Sequence, residues 1–304
     1  MPSPGVIRNN LIIRARIIDA IRQFFRKGDF IEVETPVRYP HPAPEAHIDT
    51  FESDGWYLST SPELHMKRLL ADGFNKIFQI TRCFRKGELG KQHNPEFTML
   101  EWYRTGGDYM TMLEDLERMF VFLCNKLGKS NILNFRGSRI DVSRPWPVLT
   151  VDEAFMRYAG WLPGPTPDLK RFELDLIEKV EPSLERQKPM ILKDYPASMC
   201  SLSRLGMDNP NVAERLEVYI GGMELANAFS ELVDSKEQRA RFNAENNYRK
   251  ILGKQTYPVP EEFLKAIERL PASGGCALGI DRLVMLFCNA GSINEVVAFN
   301  HDTA

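Results

Sequence analysis

The chain of 304 residues is 43% hydrophobic and 26% charged, the proportions of an ordinary globular protein with enough apolar surface for a sizeable core. Its formal net charge of −2, with no long lysine or arginine block, supplies no field to steer nucleic acid towards it. No run approaches the roughly 18 apolar residues of a membrane span, and the start MPSPGVIRNN has neither the basic lead nor the apolar stretch of a signal peptide. A cytoplasmic protein, with one large catalytic-sized domain over residues 1–304, is therefore expected. The five cysteines, at 83, 124, 200, 276 and 288, have no zinc or redox spacing, and their odd number argues against a full disulfide framework. His41 and His47 lie in a proline-rich stretch without further ligand-type neighbours, which makes them loop histidines.

In chain order, apolar residues recur at helical spacing from Leu11 to Phe25, and Gly28 follows where a helix end favours glycine. Ile31 and Val33 alternate with Glu32 and Glu34 as in a half-exposed strand that Pro36 terminates or places at an edge. Tyr39 to Ala46 reads as a loop. Two strands, Lys76 to Arg85 and Glu96 to Arg104, are expected to pair antiparallel across the polar connection Lys86 to Pro95. Helices over Tyr109 to Leu127 and Val151 to Tyr158 precede a loop from Trp161 to Asp168. The last third returns to strands at Met190 to Tyr195 and Arg215 to Ile220, helices at Lys236 to Ile251 and Glu261 to Leu270, and a glycine-rich strand-to-helix passage. No internal repeat is evident, and the order of elements predicts an α+β fold with a largely antiparallel sheet flanked by helices.

Three segments carry candidate chemistry. In FRKGELGKQHNPEFTMLEWYR, strand parity places Phe97, Met99, Glu101 and Tyr103 on one face. A carboxylate among apolar groups requires a cation or donor, which a ligand ammonium or an internal arginine would satisfy equally. In ASGGCALGIDRLVMLF, Arg282 falls in the first turn of a buried helix, where a bound anion or the neighbouring Asp281 should offset its charge; read alone, a surface salt bridge is the better account. In ERLEVYIGGMELANAFSELVD, Gly221 and Gly222 suit a two-residue hairpin turn. That register pairs Tyr219 with Glu224 and Glu217 with Ala226, and it brings Glu217 and Glu224 within reach of one divalent cation on a nucleotide. Two solvated glutamates on an exposed face would leave the same pattern.

Together these segments resemble the class II aminoacyl-tRNA synthetases of the lysyl branch. FIEVETPV resembles motif 1, whose proline, here Pro36, lies at a homodimer interface; the two longer segments resemble motifs 2 and 3. TSPELHMKRLL and GMELANAFSEL extend the likeness over nearly the whole chain. The resemblance implies ATP as co-substrate with Mg2+. Arg85 would hold the α-phosphate and the substrate carboxylate, Phe97 would stack on adenine, His93 would lie near the triphosphate tail, and Arg282 would grip the γ-phosphate. Glu217 and Glu224 would carry the metal. The amino-acid pocket would fall on Ser61 and Glu63, the latter for the backbone amine, and on Glu101, Tyr103, Asn227, Phe229 and Glu231 around a side-chain ammonium. Unbroken alternation would put Asn227 and Glu231 on the face opposite Glu224, so a bulge or bend near Ala226 is expected.

Three departures narrow the resemblance. The chain begins at the catalytic core, so the OB-fold that reads an anticodon is expected to be missing. Ala277 replaces a usual glycine in the amino-acid pocket. In motif 2, Arg85 is followed by Lys86, Gly87 and then Glu88 in place of Arg-x-Glu, so Glu88 makes the adenine contact only if the loop shifts. The first two features, with the ending EVVAFNHD, are most similar to the elongation factor P β-lysine ligase family. This implies activation of (R)-β-lysine and transfer to elongation factor P without tRNA. A free-standing lysyl-tRNA synthetase core and a catalytically silent regulator are the competing expectations.

Overall fold

The computed structural model describes residues 4–301 and Thr303; the first three residues of the start and Asp302 of the ending EVVAFNHD lie outside them. The first helix runs Pro4–Lys27, about two turns earlier than the apolar period suggests, because proline is tolerated in a first helical turn. Its buried stripe, Ile17, Ala20, Ile21 and Phe25, keeps the 3–4 residue spacing, and Arg26 and Lys27 close it with the charge its C-terminal dipole favours.

An eight-stranded sheet forms the centre. Its order is Ile31–Glu32, Lys76–Phe84, Glu96–Thr105, Ser273–Gly279, Met223–Ser230, Val212–Ile220, Met190–Pro196 and Val148–Thr150. Only the two outermost pairings are parallel, so the expected antiparallel α+β architecture holds. The Pro4–Lys27, Tyr109–Lys126 and Ile280–Cys288 helices cover one face with a continuous apolar cluster that includes Phe25, Trp102, Phe120 and Leu283. The other face carries the cavity described below, and beside it the Glu63–Ala71, Ser235–Ile251 and Glu261–Ile267 helices pack around Ile77 and Tyr103.

Several elements have no counterpart in the sequence reading. Ile132–Phe135 and Ser138–Asp141 form a hairpin that buries Phe135 and Ile140. Residues 169–183 form short helices including a π-helical turn, Leu176–Val180. The Glu63–Ala71 helix arises within TSPELHMKRLL. Arg38–Tyr39, Trp56–Leu58 and Glu52–Ser53 make a small separate sheet. These pieces are short, and each takes its conformation from what it packs against more than from its own period. All five cysteines are unpaired.

Candidate active site

The cavity floor is set by strand parity. Phe97, Met99, Glu101 and Tyr103 line a space of about 480 Å³, while the alternate residues Leu100 and Trp102 turn into the core with no exposure. The neighbouring Ser273–Gly279 strand places Ala277 directly opposite Glu101 and Asn227 opposite Ala277. Gly275 pairs with Tyr103; a Cβ on Gly275 would lie 2.2 Å from the Tyr103 ring and 2.3 Å from a Glu231 oxygen. Only a glycine permits that approach.

The hairpin of Val212–Ile220 and Met223–Ser230 turns at Gly221 and Gly222, both with positive φ (63° and 76°), as a primed turn requires. Tyr219 pairs with Glu224 as the sequence suggests, but the register then shifts: Val218 meets Ala226 and Glu217 meets Asn227. The expected Glu217–Ala226 pairing is corrected by one residue. The expected bulge is present, and it turns Asn227 and Phe229 onto the cavity face with Glu224. Glu217 gains Asn227 as a hydrogen-bond donor at 3.3 Å.

At one end of the cavity, carboxylates crowd around a single lysine. Glu101 is 1% exposed and accepts hydrogen bonds from the Ser61 hydroxyl at 2.6 Å and the Tyr103 hydroxyl at 2.7 Å. Among the described residues no arginine meets it; its internal partners are these two hydroxyls, with Lys67 the nearby cation. Lys67, also 1% exposed, bridges Glu63 at 2.6 Å and Glu231 at 2.5 Å. Burial works against the ammonium, yet Glu231 and Glu63 hold its pKa above the ordinary value. The carboxylates outnumber this cation. Burial, reinforced by Glu63, raises Glu101 to about 7; burial, with Glu63 and Glu101 adding to it against Lys67, raises Glu231 to about 8. Glu231 stands behind the lining, joined to it through Lys67 and the gap that Gly275 leaves.

The opposite end is cationic. Arg85 lies with its guanidinium 5.2 Å from the Phe97 ring centre and 3.7 Å from Glu88, and both aromatic and carboxylate line the cavity. Gly87 adopts a positive φ of 85°, and Glu88 after it lines the cavity. Arg282 donates to the Glu224 backbone oxygen at 2.7 Å and approaches its carboxylate at 3.4 Å, and its other nitrogen contacts His93. Burial and Arg282 lower the His93 pKa. Asp281 does not offset Arg282, contrary to one expectation: its carboxylate turns away to Arg14 at 2.5 Å and to the Thr98 N–H at 2.8 Å. Arg282 starts its helix with no side-chain cap, which leaves an anion-favouring helix start on the cavity.

Burial and the nearby Glu217 charge raise the Glu224 pKa, with Arg282 and Arg215 pulling against them. Among the described residues no group of three or more His, Cys, Asp or Glu gathers for a metal. Glu217 and Glu224 are the carboxylates that would hold a magnesium ion, a hard cation suited to oxygen donors; Glu217 accepts here from Arg215 at 2.5 Å and from the Tyr219 hydroxyl at 2.7 Å. Thus Ser61, Glu63, Arg85, Glu88, His93, Phe97, Glu101, Tyr103, Glu217, Glu224, Asn227, Phe229, Ala277 and Arg282 line one cavity, with Glu231 alone set behind it. Sequence reasoning missed Lys67, although Glu63 and Lys67 stand four apart, the spacing at which side chains meet on a helix. It also missed Arg215, which donates to Glu217 at 2.5 Å, and Glu45, a loop carboxylate lining the cavity.

A mostly antiparallel sheet bearing a cavity with one cationic and one acidic end is the architecture of a class II synthetase-like ligase. The family model of class II tRNA synthetases (D, K and N) matches residues 4–303, and the chain belongs to that family. It is 38% identical to the elongation factor P--(R)-beta-lysine ligase of Hamiltonella defensa, over 97% of this chain and 96% of that protein. Identity to the enzyme of the same name from Proteus mirabilis is also 38%, with the same coverage. The lysine--tRNA ligase of Moorella thermoacetica is 37% identical over 96% of this chain but 65% of its own length. This chain therefore spans about two thirds of that relative. It is an enzyme of the amino-acid ligase class, whose members use ATP and Mg2+. No described helix is long and apolar enough to cross a membrane.

Proposed function

We propose that this chain, working as one catalytic domain in the cytoplasm, activates (R)-β-lysine or lysine with ATP and passes the acyl group to a lysine side chain of elongation factor P. The observation that carries the reading is one cavity lined both by Arg85 and Arg282 and by the carboxylates Glu63 and Glu101, with Glu231 set behind them. A diamino acid laid between them presents its ammonium groups to the carboxylates and its carboxylate to Arg85.

The substrate carboxylate oxygen attacks the α-phosphorus in line, forming a mixed anhydride and releasing pyrophosphate. The acceptor amine then attacks the acyl carbon, forming an amide, and AMP departs. Neither step needs a covalent enzyme intermediate. Arg85 draws together two anions that otherwise repel, and Arg282 and His93 receive the departing phosphates. Phe97 offers a face for adenine, and Glu88, lining the same cavity, offers it an acceptor. Glu217 and Glu224 would hold a magnesium ion, which would neutralise phosphate charge there. Ser61 and Tyr103 orient Glu101, while Ala277, Asn227 and Phe229 shape the pocket around it. Two copies pair through the Pro36 region in this reading, where Ile31 and Val37 stand exposed.

Elongation factor P as acceptor is supported by the names of relatives that align along almost their full length. The lysine--tRNA ligase relative keeps tRNA as a second reading. Amino-acid-dependent ATP–pyrophosphate exchange with α- and β-lysine, followed by transfer of label to elongation factor P or to tRNA, separates them. Exchange with label on the protein is expected. No exchange with either isomer would leave a silent regulator as the account; label on tRNA alone would replace the acceptor.

A further inference from the structure

The amine-binding reading above leaves one cavity-lining carboxylate without a role. Glu63 is not the group best able to receive an incoming ammonium beside the reacting carboxylate, because Lys67 already occupies one of its oxygens at 2.6 Å. Glu231 shares the same lysine. Glu101 has two hydroxyl donors but no cation in hydrogen-bond contact. The remaining carboxylate is Glu45, partly buried in the loop before Phe51 and lining the same cavity.

Among the described residues no side-chain hydrogen bond or ion pair engages the Glu45 carboxylate, whereas its backbone is fixed. Arg249, 1% exposed, donates to the Glu45 carbonyl at 2.6 Å, the Ile48 carbonyl at 3.0 Å and the Asp49 carboxylate at 2.6 Å. Glu245 accepts from the Ala46 N–H at 2.7 Å, Lys254 donates to the Ala46 carbonyl at 3.0 Å, and the Lys86 N–H ties Asp49 to the strand end beside Arg85 at 2.7 Å. The charges acting on Glu45 are Arg85, Glu63, Glu245 and Arg215. Burial raises it to about 7, with Arg85 pulling against Glu63 and Glu245. A well-anchored backbone thus presents a carboxylate with no ion-pair partner among the described residues to the same cavity as Arg85, which would take the substrate carboxylate, and Glu63, which Lys67 has already claimed.

We propose that Glu45 is a specificity-determining residue that receives the amine lying next to the reacting carboxylate, while Glu101 receives the distant one. This rests on the diamino-acid reading of the cavity. Moving an amine by one carbon, as between α- and β-lysine, changes its distance from Glu45 but not the ammonium at Glu101. Glu45 therefore reads the isomer, and Glu101 reads the presence of the far ammonium.

The test is ATP–pyrophosphate exchange with each isomer for the wild type, Glu45→Gln, Glu45→Asp and Glu101→Gln, with thermal melting and the KM for ATP as controls. Glu45→Gln should raise KM for the preferred isomer roughly ten- to a hundredfold, the size of one charge-assisted hydrogen bond, and shift the α-to-β ratio of kcat/KM at least fivefold. Its ATP KM should hold. Glu101→Gln should depress both isomers alike. Glu45→Asp, which keeps the charge and shortens the reach, covers an ill-folded Gln variant and should also move the ratio. A ratio unchanged in every folded Glu45 variant overturns the proposal. A wild type that exchanges with neither isomer refutes the underlying reading instead, so the two failures are distinct.

Discussion

The two ends of the cavity are built on different principles. At the acidic end the charges are largely buried and held by the protein itself: Lys67 spans Glu63 and Glu231, and Ser61 and Tyr103 donate to Glu101. At the cationic end Arg85 and Arg282 make long, partly exposed ion pairs, at 3.7 Å and 3.4 Å. A buried ion-pair cluster binds the fold to its own integrity, whereas loosely paired arginines remain available to a ligand with little loss to the apo protein. Substitutions at the first end should therefore be felt in stability, and at the second in turnover.

The largest expected effect tests the first half of that contrast. Lys67→Met strands Glu63 and Glu231 without their cation, a change that costs about 3–5 kcal/mol for a broken buried pair, and should lower the melting temperature by roughly 10 °C. An unchanged melting curve would show that the cluster carries no structural weight. Arg85→Ala tests the second half: exchange should fall about a hundred- to a thousandfold, the loss expected for one preorganised charge-stabilising group, with the melting temperature nearly still. Retained exchange would remove Arg85 from the chemistry.

A smaller effect sharpens the comparison through pH. Glu101 and Glu231 have folded pKa values of about 7 and about 8, above the ordinary 4.5. From about pH 4.5 to 8 the ligand-free folded protein thus holds more protons than the unfolded chain, and its stability should decline as pH rises through that window. Amino-acid affinity runs the other way, because ionised carboxylates receive ammonium groups. KM for the amino acid should fall between pH 6 and 8 by up to about tenfold per unit for each ionising group, and Glu101→Gln should flatten the curve. A flat wild-type profile would show that these carboxylates are ionised before substrate arrives.

The cationic end was the more readable in the sequence, for a physical reason. Phe97 sits on a regular strand, where parity says which way a side chain faces, while Arg85 and Arg282 were marked by the resemblance of their segments to motifs 2 and 3. Even the bulge could be inferred, because Glu224, Asn227 and Glu231 cannot share a face on an uninterrupted strand. Its register could not: the Glu217–Asn227 pairing depends on which residue is extruded. The acidic end was legible only in part. Glu101 declared itself as a carboxylate in an apolar strand, but its hydroxyl donors and the Lys67 bridge come from a segment whose helix was not recognised. Glu45 was invisible, since its loop has no period and is shaped by Arg249, two hundred residues away. The hairpin at residues 132–141 escaped for a related reason: it is short, and it is held by packing against the Gly221 turn, where a Cβ would stand 2.7 Å from Phe135.

The shifted register in the Met223–Ser230 strand makes this part of the chain sensitive to length in a way it is not to composition. Removing the extruded residue would delete little mass and no charge, yet would invert every side chain from Asn227 to Ser230, sending amide and aromatic groups into the helical layer and small core residues into the ligand space. Point changes along this strand can be absorbed one at a time; a single-codon deletion there would rewrite both faces at once.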